Sequence, residues 1–209
     1  MGALTLYTNP MSGGSIARWM LEEVGQPYDT VVLDYGTTMK GADYLAINPM
    51  GKVPAIKHGD TIVTECAAIC AYLADAFPAA NLAPPPGDPR RGAYYRWLFY
   101  AAGPIEAAMS TKALGVAVPT DKQGMVGFGT FDAVVGVMEQ VAASARPHIL
   151  GEQFTAVDVY FGSELGWMTQ FGMIGKRPAF DAYLATIMSR PAALRAREID
   201  DALIAAQKG

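Results

Sequence analysis

Two short segments of this chain carry residue types suited to holding a small peptide by its backbone and its charged end. Val53-Pro54 precedes a predicted strand, and Glu65 opens a predicted helix. An X-Pro bond takes the cis form at low cost, and a cis bond here would turn the Val53 N–H and C=O sideways to pair with a bound peptide. The helix N-terminus at Glu65 favours a carboxylate, and its side chain suits an ammonium group. A short peptide with a free amino acid at one end satisfies both contacts.

Each segment also has a purely structural interpretation. Val53-Pro54 is compatible with an ordinary turn into an edge strand, and Thr64-Glu65 with an ordinary helix start. Their occurrence together, in this order and eleven residues apart, favours the binding hypothesis.

Strand and helix patterns alternate in the first part of the chain. Ile16, Trp19, Met20 and Val24 recur at helical spacing before Gly25, which is a typical helix stop. The order is βαβ followed by ββα, with a hairpin through Gly59-Asp60. The predicted strands are 4–7, 28–33, 55–58 and 61–63, the predicted helices are 15–24 and 65–77, and a helical turn is predicted over 43–47.

A proline-dense run over 78–89 separates this part from a second one that lacks strand patterns. We therefore predict an α/β domain over 1–79, a linker over 80–89 and an all-helical domain over 90–209. Thr155 and Asp158 have the spacing of a capping box, which indicates a structural role, and Pro104 is expected to kink its helix. The helices are predicted over 90–113, 121–145, 155–171, 178–188 and 191–206.

Composition excludes several classes of function. The 209 residues carry a formal net charge of −4 and a pI near 5.1, with no basic cluster beyond Arg90-Arg91, so no nucleic acid partner is expected. No apolar run is long enough for a membrane span, and no charged segment precedes the first strand, so no membrane association and a cytoplasmic location are expected.

The two cysteines, Cys66 and Cys70, lie one helical turn apart and are interpreted as core thiols. His58 and His148 are far apart in sequence, and further ligands of the right kind are missing. A metal site is therefore not expected.

The combined pattern resembles the cytosolic glutathione S-transferase family, in particular its bacterial serine-type members. The resemblance implies a thioredoxin-like α/β N-terminal domain, an all-α C-terminal helical bundle, glutathione as co-substrate, and a homodimer. It covers almost the whole chain, and the matching segments are 19–23, 48–55, 65–73 and 155–158.

Several roles follow from this resemblance, residue by residue. Val53 matches the residue whose main chain pairs with the cysteine of glutathione, and Pro54 matches the cis-proline. Glu65 and Cys66 fall where the family binds the γ-glutamyl group with Glu or Gln followed by Ser. The Cys66 thiol is a weaker hydrogen-bond donor than a hydroxyl. Lys52 matches a position that often meets the glycine carboxylate, although a solvated loop lysine is an equal alternative.

Catalysis in this family requires a thiolate. Lowering a thiol pKa from ~8.5 by ~2 units requires about 2.7 kcal/mol of anion stabilisation, which a hydroxyl donor and a helix N-terminus can supply. The resemblance favours Ser12, which follows a proline in the loop before the first helix. Tyr7 at the end of the first strand is the rival, and Asn9 and Ser15 are weaker alternatives.

A second substrate would be a small apolar electrophile. Its candidate contacts are apolar residues that equally suit a protein core: Met11, Tyr100, Ala107, Met109, Trp167 and Phe171. The expected reaction is conjugation, with peroxide reduction or dehalogenation as variants.

Three departures from the family pattern keep other functions open. Gly13 and Ser15 replace the arginines common in related bacterial sequences, and Cys66 replaces serine. The alternative to an enzyme is a catalytically idle member that binds glutathione or a protein partner. A weaker alternative is a disulfide or peroxide reductase that uses the Cys66 thiol.

Overall fold

Four short strands form a mixed sheet in the computed structural model, which describes residues 2–207. They are β1 (Leu4–Thr8), β2 (Tyr28–Val32), β3 (Ala55–His58) and β4 (Thr61–Thr64). The order across the sheet is β2-β1-β3-β4, with β1 parallel to β2 and both other pairs antiparallel. The parallel pair needs a crossover connection, which is helix α1 (Gly14–Val24), ended by Gly25 at φ +71° as predicted.

Side chains alternate between the two faces of the sheet. Leu4, Leu6 and Thr8 are buried, and Thr8 faces α1, since a Cβ on Gly14 would lie 1.9 Å from the Thr8 Oγ1. The helix α3 (Cys66–Ala76) packs beside α1. A separate apolar cluster includes the short helix α2 (Ala42–Leu45) and packs against Tyr7; its buried members are Leu33, Met39, Tyr44 and Ala55.

The last helix, α9 (Pro191–Gln207), packs along α1 and joins the N-terminal unit. Arg18, which is 1% exposed, donates from Nε to Asp200 Oδ1 at 2.6 Å and from Nη1 to the Tyr28 hydroxyl at 3.2 Å. This buried ion pair links the two helices. The chain divides into two compact units, one formed by Met1–Leu82 with Arg190–Gly209 and the other by Ala83–Ser189. The predicted helical domain over 90–209 had instead included the last helix.

The second unit is entirely helical in its regular structure. Pro104 lies in a π-helical turn, Ala101–Ile105, which divides the single helix predicted over 90–113 at the position where a kink was expected. The helix predicted over 121–145 is wrong in its first part, because Thr120–Met125 is a 3₁₀ turn. The helices are α4 (Arg90–Tyr100), α5 (Glu106–Ala113), α6 (Phe131–Ser144), α7 (Ala156–Gln170) and α8 (Pro178–Met188).

The beginning of α7 is organised by one buried carboxylate. Asp158 accepts hydrogen bonds at 2.9 Å from the Ile149 N–H, the Thr155 N–H and the Tyr183 hydroxyl. Thr155 and Asp158 form the predicted capping box: the Thr155 side chain accepts from the Asp158 backbone, and the Asp158 carboxylate reaches back to the Thr155 N–H. The Thr155 hydroxyl also donates to the carboxylate at 3.2 Å. The three donors join α7, α8 and the preceding loop at one point.

Glu164 is a second buried carboxyl group of α7. It is 1% exposed, and its Oε2 has no hydrogen-bond partner among the described residues. Burial raises the pKa of Glu164 to about 8, and the charge of Glu106 acts in the same direction. Glu164 is therefore mainly protonated at neutral pH.

The pKa of Glu164 predicts a specific pH dependence of stability. Because the folded-state pKa lies above the unfolded value, its stabilising contribution is complete below about pH 4 and is lost as pH rises through about 8. Glu164→Gln should remove this loss. Between pH 5 and pH 8, its unfolding free energy should gain about 3 kcal/mol relative to the wild type.

Urea unfolding at several pH values measures this difference. Glu152→Gln, at an exposed position of the same unit, is the matched control and should follow the wild-type profile. Parallel profiles for Glu164→Gln and the wild type would show that the Glu164 pKa is ordinary.

Among the helices of residues 2–207, not one combines the length and the apolar character that crossing a membrane requires.

Candidate functional site

The loop between β1 and α1 is held in place by Asn9. Its Nδ2 donates to the Leu33 carbonyl at 2.8 Å, and its Oδ1 accepts the Met11 N–H at 3.0 Å. With 2% exposure and both ends of the amide engaged, Asn9 positions the loop and is not placed to act on a ligand. The sequence ranked Asn9 only as a weak candidate donor, and its positioning role was not predicted.

Ser12 lies half-buried in this loop, next to the start of α1. Its hydroxyl donates to the Asn9 carbonyl at 2.6 Å and accepts the Gly14 N–H at 3.0 Å. The Gly14 N–H, which the start of α1 orients, draws electron density from the Ser12 oxygen and so makes the hydroxyl a stronger donor. The hydroxyl can therefore donate to a thiolate by rotating away from the Asn9 carbonyl, since an anion is the stronger acceptor.

Three separate segments of the N-terminal unit meet at Gly13. A Cβ on Gly13 would lie 3.1 Å from the Cys66 Sγ and 3.5 Å from the Pro54 Cδ, and the Cys66 thiol donates to the Gly13 carbonyl at 3.5 Å. The loop of Ser12, the Val53-Pro54 step and the start of α3 are thus in contact. This brings together most of the residues that the sequence assigned to one ligand.

The Val53-Pro54 bond is cis, as the binding hypothesis required. Val53 packs its side chain against the apolar cluster, and its N–H and C=O have no hydrogen-bond partner among the described residues. A main-chain donor and acceptor are therefore available to pair with an extended peptide.

The segment before this bond is fixed by contacts that sequence reasoning missed. The Lys52 carbonyl accepts the Tyr44 hydroxyl at 2.5 Å and the Asn48 Nδ2 at 2.8 Å, and the Lys40 Nζ donates to the Gly51 carbonyl at 2.7 Å. Gly51 has φ +57°, and a Cβ there would lie 2.8 Å from the Met39 carbonyl oxygen. Asn48 within its Asn-Pro step was the only local signal.

Glu65 has an unusual backbone conformation at the start of α3. Its φ is +67° and its ψ is 123°, which costs about 1–3 kcal/mol for a residue other than glycine. Such strain is concentrated at functional sites. Here the Glu65 side chain is exposed beside the first turn of α3, whose backbone N–H groups point out of the helix end.

The two cysteines differ in their environment. Cys70 is fully buried, and burial raises the pKa of its thiol to about 12, so it is a core thiol as predicted. Cys66 is half-buried against Gly13, and the prediction of a core thiol is wrong for this residue. Neither Cys66 nor Cys70 forms a disulfide bond.

The other candidate donors and ligands are placed less favourably. The Tyr7 ring packs against the apolar cluster, 5.7 Å from the Tyr44 ring, and the Ser15 hydroxyl donates to the Ser12 carbonyl at 3.1 Å. Lys52 extends an exposed side chain from the loop before Val53. Over residues 2–207, no cluster of three or more His, Cys, Asp or Glu side chains is arranged to hold a metal ion.

The proposed electrophile contacts are distributed over both units. Met11 is 61% exposed in the N-terminal unit. Tyr100, Met109 and Trp167 are half-buried in the helical unit, where burial raises the pKa of Tyr100. Of the other two, Ala107 is exposed and Phe171 is 69% exposed.

The chain is similar to several known proteins in sequence and in fold. The family profile described as "Glutathione S-transferase, N-terminal domain" matches residues 15–76. Glutathione S-transferase GstA of Escherichia coli O157:H7 is 29% identical over 78% of this chain and 82% of its own length. Crystal structures of a glutathione transferase from Methylococcus capsulatus and a homolog from Sulfitobacter with bound glutathione are each 28% identical. They have TM-scores of 0.80 and 0.76, and cover 95% of this chain with 99% and 98% of theirs.

Proposed function

Since the chain belongs to the glutathione S-transferase family, we propose that it is an enzyme that activates the glutathione thiol for attack on a small apolar electrophile. One observation carries this proposal: the Ser12-Gly13 loop, the cis Val53-Pro54 step and the start of α3 meet at Gly13. A hydroxyl donor, a peptide-pairing main chain and a helix N-terminus are thereby available to one tripeptide.

Glutathione is proposed to bind through its backbone and both ends. Val53 pairs with the cysteine residue of glutathione through its N–H and C=O. Glu65 takes the γ-glutamyl ammonium, and the Cys66 N–H with the first turn of α3 takes the γ-glutamyl carboxylate. Lys52 is close in sequence to Val53 and offers an ammonium for the glycine carboxylate.

Ser12 is proposed to stabilise the thiolate. A sulfur anion replaces the Asn9 carbonyl as acceptor of the hydroxyl proton, and the Gly14 N–H bond keeps the oxygen in place. The thiolate then attacks the electrophile, and for an aryl halide the carbon–sulfur bond forms while the carbon–halogen bond breaks and halide leaves. Met11, Tyr100, Met109 and Trp167 are the proposed apolar contacts. Conjugation is the main reaction proposed, and peroxide reduction and dehalogenation use the same thiolate.

The proposed working form is a cytoplasmic homodimer. In the helical unit, the adjacent Tyr95 and Phe99 rings of α4 are 42% and 68% exposed, an unusual exposure for aromatic side chains that supports burial in a subunit interface. A sedimentation mass equal to one chain would contradict this assembly.

The catalytically idle alternative has one observation in its favour. The Ser12 hydroxyl already donates at 2.6 Å to the Asn9 carbonyl, and neither Gly13 nor Ser15 supplies positive charge to compensate. A protein of this kind would bind glutathione without activating it. The reductase alternative requires the Cys66 thiol. Unchanged disulfide or peroxide turnover in Cys66→Ser would exclude it.

Calorimetry and an aryl halide assay test the proposal together. We expect glutathione to bind, cysteinylglycine to bind at least tenfold more weakly because it lacks the γ-glutamyl group, and 1-chloro-2,4-dinitrobenzene to be conjugated. Glutathione binding without turnover of any electrophile would favour the idle alternative. If millimolar glutathione gives no heat of binding, both the enzyme proposal and the idle alternative are wrong.

A further inference from the structure

We propose that a cavity within the helical unit is a second binding site, which takes a small organic acid with an aromatic body. The cavity has a volume of about 370 Å³ and lies between the end of α5, the loop that follows it and the start of α6. This size is within the ~300–1000 Å³ typical of ligand sites. None of its lining residues belongs to those proposed for glutathione or for the electrophile.

The charge of the ligand follows from Lys112, the only charged residue that lines the cavity. Lys112 lies in the last turn of α5, and its Nζ is 5.2 Å from the centre of the Phe131 ring. Among the described residues, no carboxylate oxygen lies within 4 Å of the Lys112 Nζ, so Lys112 forms no salt bridge. An anionic group is the natural complement of this ammonium.

Two of the three neutral polar side chains that line the same space can bind such an anion. Gln123 is half-buried, and its side-chain amide has no hydrogen-bond partner among the described residues. The Thr130 hydroxyl accepts the Ala133 N–H at 3.1 Å as the cap of α6, so its own proton is available. An ammonium, an amide and a hydroxyl can together satisfy the two oxygens of a carboxylate.

Apart from Thr111, whose hydroxyl donates to the Ala107 carbonyl at 2.6 Å, the remaining lining is apolar and includes two aromatic rings. Phe128 and Phe131 contribute flat surfaces, and Val116 and Val118 contribute branched aliphatic ones. Val116 is 57% exposed, and an apolar occupant would bury part of this surface. A planar aromatic body with one carboxylate matches this combination better than a sugar or a polyanion does.

Binding of 2-naphthoate tests this site, with 2-naphthamide as the neutral comparison. Lys112→Met removes the charge and keeps the aliphatic stem. Lys122→Met is the matched control, because Lys122 lies in the same unit but does not line the cavity and is paired with Asp121. Titration calorimetry should show that naphthoate binds the wild type and Lys122→Met with equal affinity. Its affinity for Lys112→Met should be about fivefold lower. The amide should not distinguish the three proteins.

Several results would overturn the site. These are no binding of naphthoate at millimolar concentration, equal affinity in Lys112→Met and the wild type, or an equal loss in Lys122→Met. If naphthoate competes with the electrophile and its affinity is unchanged by Lys112→Met, naphthoate binds outside this cavity. Glutathione affinity should be the same in Lys112→Met and the wild type, so failure of the proposed enzyme function and failure of this site are distinguishable.

Discussion

Ser12→Ala should lower kcat/KM for glutathione conjugation about 100-fold, with a much smaller effect on glutathione affinity. The hydroxyl is the only proposed donor to the sulfur anion, and losing one such donor costs about 2.7 kcal/mol in known enzymes. The pKa of the bound glutathione thiol should rise toward ~8.5, its ordinary value. Ultraviolet titration of the bound thiolate and steady-state kinetics measure the two effects separately.

Two control variants make the assignment specific. Tyr7→Phe removes the rival hydroxyl, whose ring packs in the apolar cluster, and should keep near wild-type activity. Ser15→Ala is the same substitution three residues further on, where the hydroxyl donates only to the Ser12 carbonyl, and should cost no more than a few-fold. If Tyr7→Phe is inactive and Ser12→Ala is active, the donor is Tyr7.

Asp158→Ala should destabilise the protein by about 3–5 kcal/mol. The substitution leaves the Ile149 N–H, the Thr155 N–H and the Tyr183 hydroxyl without their acceptor in a fully buried environment. Each unpaired buried donor costs about 1–3 kcal/mol, and partial relaxation reduces the sum. This loss exceeds that of an ordinary helix cap, which is about 1 kcal/mol.

Urea unfolding of the purified variants measures this loss. Asp132→Ala is the matched control, because Asp132 is also an aspartate in the first turn of a helix of the same unit, but is exposed. It should cost less than about 1 kcal/mol through the helix dipole. If Asp158→Ala and Asp132→Ala lose the same amount, the buried network around Asp158 contributes nothing beyond a cap.

Local patterns in the sequence predicted most of the secondary structure. The strand predicted over 4–7, the helical spacing from Ile16 to Val24 and the stop at Gly25 depend on a few neighbouring residues, so they can be predicted from the sequence. Together with the Val-Pro and Thr-x-x-Asp motifs, they also led to the correct family and fold class.

Two elements were predicted incorrectly, one for a local reason and one for a distant one. The helix α6 begins at Phe131 and not near 121, because Gly124, Gly127 and Gly129 weaken the earlier turns and Thr130 caps the helix, and these local signals were overlooked. The helix α9 belongs with α1 because Arg18 and Asp200, far apart in sequence, form a buried ion pair.

The same division applies to the candidate site. Sequence alone determined which residue types could hold a peptide and activate a thiol: Ser12, Val53, Pro54 and Glu65, in an order set by their motifs. Only the tertiary structure decided that Gly13 contacts Cys66 and Pro54, and that Tyr44, Asn48 and Lys40 hold the segment before Val53. Motifs arise from local backbone chemistry, whereas these contacts depend on how separate elements pack, which a local pattern does not encode.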